Sequence, residues 1–394
     1  DFAFDFDASR PMWGGELSGG VEIKLVDVEK SRLRDNNAYS RGTVSDTISC
    51  PTGDVACIEN DVVLLQKSVY QAYEADAEVS SEAAWAEFEK SFDDIFTLRA
   101  GLRYSHDDFL DNHNLAPRLT GSWEVRPDWF LTLGANRYYA KNMVGYAIRS
   151  QYPDSYIYRR TLGTDGVVSD WALYRHTRSS DYAQANLNTP YSDEITAALT
   201  VPTPLNGNFR LKTVVRDSED SFARSPSDTV SFDAPTATSS TTRVYTITND
   251  GNTEYEAISA EWTGSLENHA FTANVTVSDT TTRGGIEDYF DEIDNEELLE
   301  DLLYYNGDII TEEELNNIRA RSDFATPVTA SLIWSSTWFE ERLNTTVGAY
   351  YRGEYESIVD TGDNITLDGV DARDVVLDAG ALAAYTTVCF LVAW

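Results

Sequence analysis

The sequence predicts an all-β fold: an antiparallel up-and-down sheet of about thirteen strands forming a transmembrane β-barrel with long loops at one end. Three observations carry this. Apolar and polar residues alternate with period two down the whole chain, the connections alternate short and long, and the composition is aromatic-rich without long apolar runs. Of 394 residues, 22 are Tyr, 16 Phe and 9 Trp, against 2 Met and 3 Cys. No run reaches the roughly 20 apolar residues of a membrane-crossing helix, whereas a barrel strand needs only about ten of alternating polarity. Charge excludes another class: 30 Lys and Arg against 66 Asp and Glu leave a net charge of −36, which repels nucleic-acid phosphates.

Strands are predicted near residues 2–8, 15–28, 78–92, 95–107, 114–126, 128–142, 190–203, 208–224, 253–267, 269–282, 326–339, 342–358 and 374–388. Phe96, Leu98, Ala100, Leu102 and Tyr104 share one face, Thr97, Arg99, Gly101, Arg103 and Ser105 the other. Leu115, Leu119, Gly121, Trp123 and Val125 oppose Arg118, Thr120, Ser122, Glu124 and Arg126 in the next segment. Phe209, Leu211, Thr213 and Val215 alternate with Arg210, Lys212 and Arg216; Phe271, Ala273, Val275 and Val277 alternate with Thr272, Asn274, Thr276 and Ser278; Val328, Ala330, Leu332 and Trp334 continue the series. Side chains on a strand point alternately to its two faces, so this is strand periodicity and not helical.

Tight turns fall at Ser9 to Gly14, Asp93-Asp94, Pro127, Pro204 to Gly207, Asn268 and Glu340-Glu341. Between them lie connections 29–77, 108–113, 143–189, 225–252, 283–325 and 359–373. A soluble sandwich or propeller has no reason to sort its connections by parity, whereas outer-membrane barrels have short periplasmic turns and long extracellular loops. The apolar face then touches lipid, and Arg, Thr, Asn and Glu line a wet interior. A soluble protein would invert the same alternation. Thirteen is an odd number, and lipid cannot satisfy an open sheet edge. The chain is therefore expected to be part of a larger barrel, as a fragment or as one of two chains that complete it.

Cys50 and Cys57 flank Pro51, Thr52, Gly53, Asp54, Val55 and Ala56, a short polar turn segment that a disulfide can close. Two free thiols in a flexible loop are the alternative. A closed bridge implies an oxidising compartment. Cys389 lies in an apolar terminal run with no evident partner.

No nucleophile motif and no phosphate-cradling glycine loop accompanies the four His, so no enzymatic step is expected. His106, Asp107, Asp108, Asp111 and His113 fall around one predicted loop, where a metal site competes with a solvated polar tip. The most acidic region runs from Glu287 to Glu314 within loop 283–325. There Glu296 to Tyr305 reads as a short helix stopped by Asn306-Gly307, and Thr311 to Glu314 as a capping box opening a second helix to Arg319. The loop is thus expected to hold a small helical hairpin. It either gates ligand entry or keeps the rim solvated, and its acids offer calcium a bridge to anionic lipopolysaccharide. Arg99, Arg103, Arg118, Arg126, Arg210, Lys212 and Arg216 lie on the wet faces. They either steer anions inward or pair with Glu124, Glu194 and Glu261.

Several stretches resemble TonB-dependent outer-membrane receptors, in the later part of their barrel. Phe96 to Asp107 is similar to that family's strand ending in Gly-Leu-Arg-Tyr, here Gly101-Leu102-Arg103-Tyr104. Asn114-Leu115-Ala116-Pro117-Arg118-Leu119 resembles the Pro-Arg strand start that follows it. Trp129 to Tyr139, Tyr191 to Thr196 and Glu254 to Trp262 resemble later strands in the same order. The match covers roughly residues 80 to 360. A family member has an N-terminal plug inside a 22-stranded barrel and a box that contacts TonB. Neither is found in this chain, and Trp394 meets the family's aromatic ending. The resemblance implies a bacterial outer-membrane importer of a scarce, bulky nutrient: a ferric siderophore, cobalamin, a saccharide or a peptide. It also implies a plug and TonB as partners, alongside lipid and lipopolysaccharide. In such receptors wet-face bases contact the plug or an anionic ligand. The competing readings are a passive porin or adhesion barrel and a secreted soluble carbohydrate-binding β protein.

Overall fold

The computed structural model describes residues 1–93, 95–140, 148, 151–177, 187–232, 240–283, 302–311, 315, 327–340, 342–367, 369–382 and 384–393. In chain order its strands are β1 (Phe2–Met12), β2 (Gly15–Arg32), β3 (Asn36–Val44), β4 (Cys57–Ile58), β5 (Val62–Tyr70), β6 (Tyr73–Phe92), β7 (Phe96–Asp107), β8 (His113–Arg126), β9 (Trp129–Tyr139), β10 (Ser155–Arg159) and β11 (Ala172–Thr177). They continue as β12 (Tyr191–Thr203), β13 (Gly207–Phe232), β14 (Ser240–Leu266), β15 (His269–Arg283), β16 (Leu302–Tyr305), β17 (Asp308–Thr311), β18 (Val328–Trp338), β19 (Leu343–Arg352), β20 (Tyr355–Leu367), β21 (Val370–Leu382) and β22 (Tyr385–Ala393).

Thirteen strands form one antiparallel sheet in the order β1-β2-β6-β7-β8-β9-β12-β13-β14-β15-β18-β19-β22. Neighbours in the sheet are neighbours in the chain once the loop strands are set aside, as the alternation requires. The short connections need left-handed backbone, and they have it: Trp13 and Gly14, Asp93, Asp128, Leu205 and Asn206, Glu267, and Phe339 and Glu340 all have positive φ. All six short connections lie at one end of the sheet, and the long ones leave from the other.

Register aligns the two faces. Phe96 lies opposite Trp123, Ala100 opposite Leu119, and Tyr104 opposite Leu115, while Arg99 meets Thr120 and Gly101 meets Arg118. Phe271, Ala273 and Val275 meet Trp334, Leu332 and Ala330 in the same way. The apolar face is the bare one: Leu119, Leu133, Ile195, Ile258, Val277 and Leu332 are each at least half exposed. Water gives so continuous an apolar belt no stabilisation, whereas hydrocarbon does.

Aromatic residues fringe this belt at both ends, as the amphipathic rings of an interface do. At the turn end His269 lies 5.9 Å from Trp334 and 5.3 Å from Trp338, and Trp262 lies 6.3 Å from Phe271. At the loop end the Tyr139 ring lies 5.9 Å from that of Tyr191, tilted against it. From Phe96 to His106 a tilted strand climbs about 25 Å, the height of a barrel's apolar band.

Two smaller sheets occupy the long connections. β11-β10-β5-β3, with β4 beside β5, combines connections that were expected to be loops, and β17-β16-β21-β20 joins two further connections through a parallel β16–β21 pair. Their cores are small: Ile48, Val63 and Val168 in one, Leu303, Leu315 and Val375 in the other. Cys50 and Cys57 are bridged beside the first core, with Cα atoms 5.7 Å apart.

Four expectations are corrected. Leu302 to Tyr305 is a strand, not the end of a helix. Asn306 and Gly307 both have positive φ, so they make the two-residue turn of a β-hairpin. Glu296 to Glu300 and Glu312 to Glu314, like Trp394, lie outside the described residues. Connection 225–252 is mostly strand, since β13 and β14 pair as far as Phe232 and Ser240. The thirteenth sheet strand is Tyr385–Ala393, not 374–388, because residues 374–382 belong to β21 in the loop sheet. Strand 342–358 stops at Arg352, and Tyr355 begins β20. Period two marks a strand but does not say which sheet it joins.

Candidate functional site

The face opposite the apolar belt carries the charge, and cross-strand pairing decides what that charge can do. Arg99 on β7 donates to Glu89 on β6 at 2.7 Å and lies 3.4 Å from Glu87. Arg103, two pleat repeats higher, donates to Glu22 on β2 at 2.5 Å. Arg216 on β13 donates to Glu194 on β12 at 3.0 Å, and Arg210 lies 3.9 Å from Glu261 on β14. Four of the seven wet-face bases are therefore held by carboxylates.

The remaining three differ. The Arg118 guanidinium sits 5.4 Å from the centre of the Tyr138 ring, and Arg126 sits 5.5 Å from that of Trp129 at the turn end. Lys212 meets no partner among the described residues. Glu124 accepts the Asp128 N–H at 2.9 Å, and so braces the β8–β9 turn rather than an arginine. Glu22, Glu87 and Glu89 were not singled out in the sequence, because a partner on another strand is legible only once the register is known.

Near the loop end of this wall is a recess of about 240 Å³ lined by residues of β2, β6, β7, β8 and β9. Lys24, Arg103, Arg118, Asn114 and Tyr138 line it, along with Glu22. Asn114 is buried and donates to Thr189 Oγ1 at 3.1 Å. Asn112 donates to the Leu187 carbonyl at 2.7 Å, and Asn249 on β14 accepts the Asn188 N–H at 2.8 Å. Three asparagines, from the rim of β8 and from β14, thus pin residues 187–189, where the β9–β12 connection returns to the sheet.

The metal candidates come together only in part, with Asp111 Oδ1 3.7 Å from His106 Nε2. The His106 and His113 rings stack 4.7 Å apart, His113 Nδ1 meets the Tyr104 hydroxyl at 2.8 Å, and His106 Nδ1 meets the Asn112 carbonyl at 3.2 Å. Asp108 instead accepts the Ser80 N–H at 2.9 Å. No group of three or more His, Cys, Asp or Glu side chains able to hold a metal is found among the described residues.

A charged pair that sequence reading passed over lies on the apolar face, above the belt. Arg137 donates to both Asp193 oxygens at 2.7 and 2.5 Å, and stacks 4.0 Å from the Tyr191 ring centre. In the first loop sheet the buried Arg160 donates to the carbonyls of Leu64 and Ala56 at 2.9 and 3.0 Å, and pairs with Asp54. Burial pushes the Asp54 carboxyl up. Hydrogen bonds from Arg160 and the Ala56 N–H, with the charges of Arg160 and Lys67, outweigh it and hold the group below its usual range.

Known proteins give this geometry a context. No protein-family model matches the chain. It is 27% identical over 165 residues to the protein YddB of Escherichia coli (strain K12), a stretch that covers 41% of this chain and 18% of that protein. The solved outer-membrane transporter YddB from Escherichia coli superposes with a TM-score of 0.62 at 17% identity, over 100% of this chain and 47% of that one. The siderophore receptor PirA from Acinetobacter baumannii gives 0.52 at 11% identity, over 99% and 55%. The ferric enterobactin receptor PfeA from Pseudomonas aeruginosa (a doubly substituted form) gives 0.52 at 13%, over 98% and 53%. This chain thus spans about half the length of the solved proteins it matches, and it has the fold of their outer-membrane β-barrels.

Proposed function

We propose that this chain forms barrel wall and external loops of a TonB-dependent receptor in the bacterial outer membrane, importing a scarce, bulky nutrient: a ferric siderophore, cobalamin, a saccharide or a peptide. The observation that supports this most is the two-faced wall. One face is an uncharged, exposed apolar belt between aromatic fringes, and the other is a lattice of ion pairs around a polar recess. Two solved proteins of the same fold are siderophore receptors. On this reading the tight turns face the periplasm, and the disulfide-bridged loop sheet faces the oxidising exterior. A plug fills the interior and TonB acts on it. Outer-membrane lipid and lipopolysaccharide surround the belt, with calcium at acidic loops bridging to the latter. The chain performs no catalytic step.

Uptake tests this. Cells carrying the complete gene are grown under iron limitation on single ferric siderophores, and on cobalamin under cobalamin limitation, with TonB present or deleted. Growth on at least one nutrient that requires both the gene and TonB is expected. Steady ion conductance through the purified protein in a planar bilayer, with TonB-independent uptake, would decide for a passive porin.

A further inference from the structure

The tip of the β7–β8 hairpin holds a histidine and an aspartate that hydrogen bonding leaves unfinished. His106 and His113 are register partners, and with Tyr104 they carry the apolar row past its loop-side end. His106 Nδ1 lies 3.2 Å from the Asn112 carbonyl, which can only accept, so Nδ1 carries the proton and donates it. In the neutral ring the lone pair is then on Nε2. That atom faces Asp111 Oδ1 at 3.7 Å, too far for a hydrogen bond. A lone pair and a carboxylate oxygen repel each other unless a cation lies between them. A proton can fill that place, and so can a metal ion.

The surroundings favour the metal. Asp107 accepts the N–H groups of Phe109 and Leu110, and Asp108 that of Ser80, whereas the Asp111 carboxylate accepts no hydrogen bond among the described residues. Glu82 on β6 is the other register partner of His106 and adds negative charge to the row. The His113 ring, stacked 4.7 Å away with its Nδ1 against the Tyr104 hydroxyl, keeps the His106 ring from turning aside. An imidazole whose other N–H is held by a backbone carbonyl is oriented as metal-bound histidines are. Two ligands of one tetrahedral ion stand about 3.3 Å apart, so the pair has only a few tenths of an ångström to close. The Asp111 side chain, 87% exposed, is free to close it and leaves room for water. We propose that His106 Nε2 and Asp111 Oδ1 bind one divalent ion of the zinc and copper class, with water completing its shell. A nitrogen donor beside an oxygen donor selects that class over calcium and magnesium, which take oxygen. The bound ion fastens the hairpin tip that carries Asn112, and through it Leu187 and Thr189. The site goes beyond the receptor reading and does not depend on it.

Zinc, copper and calcium chlorides are titrated calorimetrically into the folded, tag-free chain in detergent, in a Cys389→Ser background that removes the free thiol. H106Q, D111N, D108N and H269Q are compared with that background, and folding is checked by circular dichroism. Asparagine tolerates the left-handed backbone of Asp111, whose φ is 58°. One zinc or copper ion is expected to bind per chain, copper the more tightly, and excess calcium is expected not to displace it. H106Q and D111N each weaken binding roughly tenfold or more. D108N, whose carboxylate is engaged with Ser80, and H269Q, at the turn end of the sheet, leave it unchanged. Failure of both ions to bind, displacement by calcium, binding untouched by H106Q and D111N, or an equal loss in D108N or H269Q overturns the site.

Discussion

Arg103 and Arg99 show how far burial sets the worth of a single charge. The Arg99 and Glu89 side chains are 55% and 40% exposed, so water screens them, and Arg99→Gln is expected to cost less than about 1 kcal/mol. Arg103 and Glu22 are only 21% and 24% exposed. Arg103→Gln takes the charged donor away from a partly buried carboxylate and costs about 2 kcal/mol. Urea unfolding in lipid vesicles orders the two variants; equal losses would mean that the wall is uniformly wet. Arg160 is the extreme case, with a side chain 1% exposed. Arg160→Met takes from Asp54 its ion-pair partner, leaving the Ala56 N–H and the charge of Lys67, and loosens the loop sheet by about 3 kcal/mol, measured as faster amide exchange over Val62–Tyr70. Because the folded Asp54 carboxyl titrates below its usual 3.8, the stability it contributes is present above that value and is lost as pH falls through the lower, folded one. Exchange over the same strand should rise in that acid range, and Asp54→Asn should remove the dependence. In the sequence the wet-face bases were legible and their fates were not. Arg99 and Arg118 occupy equivalent places in the alternation, and only the register gives one a glutamate and the other a tyrosine.

The elements were legible wherever one face is apolar and the other polar. β7, β8, β12 and β15 lie within a few residues of their predicted bounds, because lipid on one side and water on the other leave no freedom in the pattern. Outside the membrane that constraint lapses. Thr241 to Thr248 are mostly β-branched or aromatic but lack an apolar row, so β14 runs about a dozen residues further than expected. Three register shifts between Ser218 and Asp228 mark where the paired ribbon leaves the regular sheet, and at Gly251 a Cβ would lie 2.7 Å from the Ser221 carbonyl oxygen. The Asn306-Gly307 pair was read as a helix stop because the same two residues end helices and turn hairpins. Its flanks, Leu303 and Tyr305 against Ile310 and Asp308, favour the hairpin. The apolar row predicts a mutational asymmetry. Ile258→Lys, near the middle of the belt, should cost about 2–4 kcal/mol in bilayers, whereas Thr276→Lys on the opposite face should cost far less. Comparable losses in guanidinium titrations of the two variants would contradict the assignment of faces.

At the scale of the molecule, twelve of the thirteen sheet strands and the sorting of their connections were readable from one chain, since both follow from a sheet with one tidy end, while the last strand was placed on 374–388 instead of Tyr385–Ala393. The two loop sheets were not. β3 pairs with β5, and β5 with β10, some 90 residues along the chain, and β16 lies parallel to β21 across a long separation. Local pattern carries no trace of such pairings, which depend on loops meeting above the sheet. The solved relatives extend over about twice this chain's span. The edges at β1 and β22 have one partner each among the described residues, and in lipid each needs a second.

Everything turns on which face meets hydrocarbon, and spin labelling along β15 tests that directly. Single cysteines at residues 271 to 278, each labelled in a Cys389→Ser background and reconstituted in vesicles, are read for accessibility to dissolved oxygen and to a water-soluble nickel chelate. Labels at Phe271, Ala273, Val275 and Val277 should favour oxygen, and those at Thr272, Asn274, Thr276 and Ser278 the chelate, giving two period-two curves in antiphase. Curves in phase, or a chelate preference at Val275 and Val277, would contradict the membrane wall.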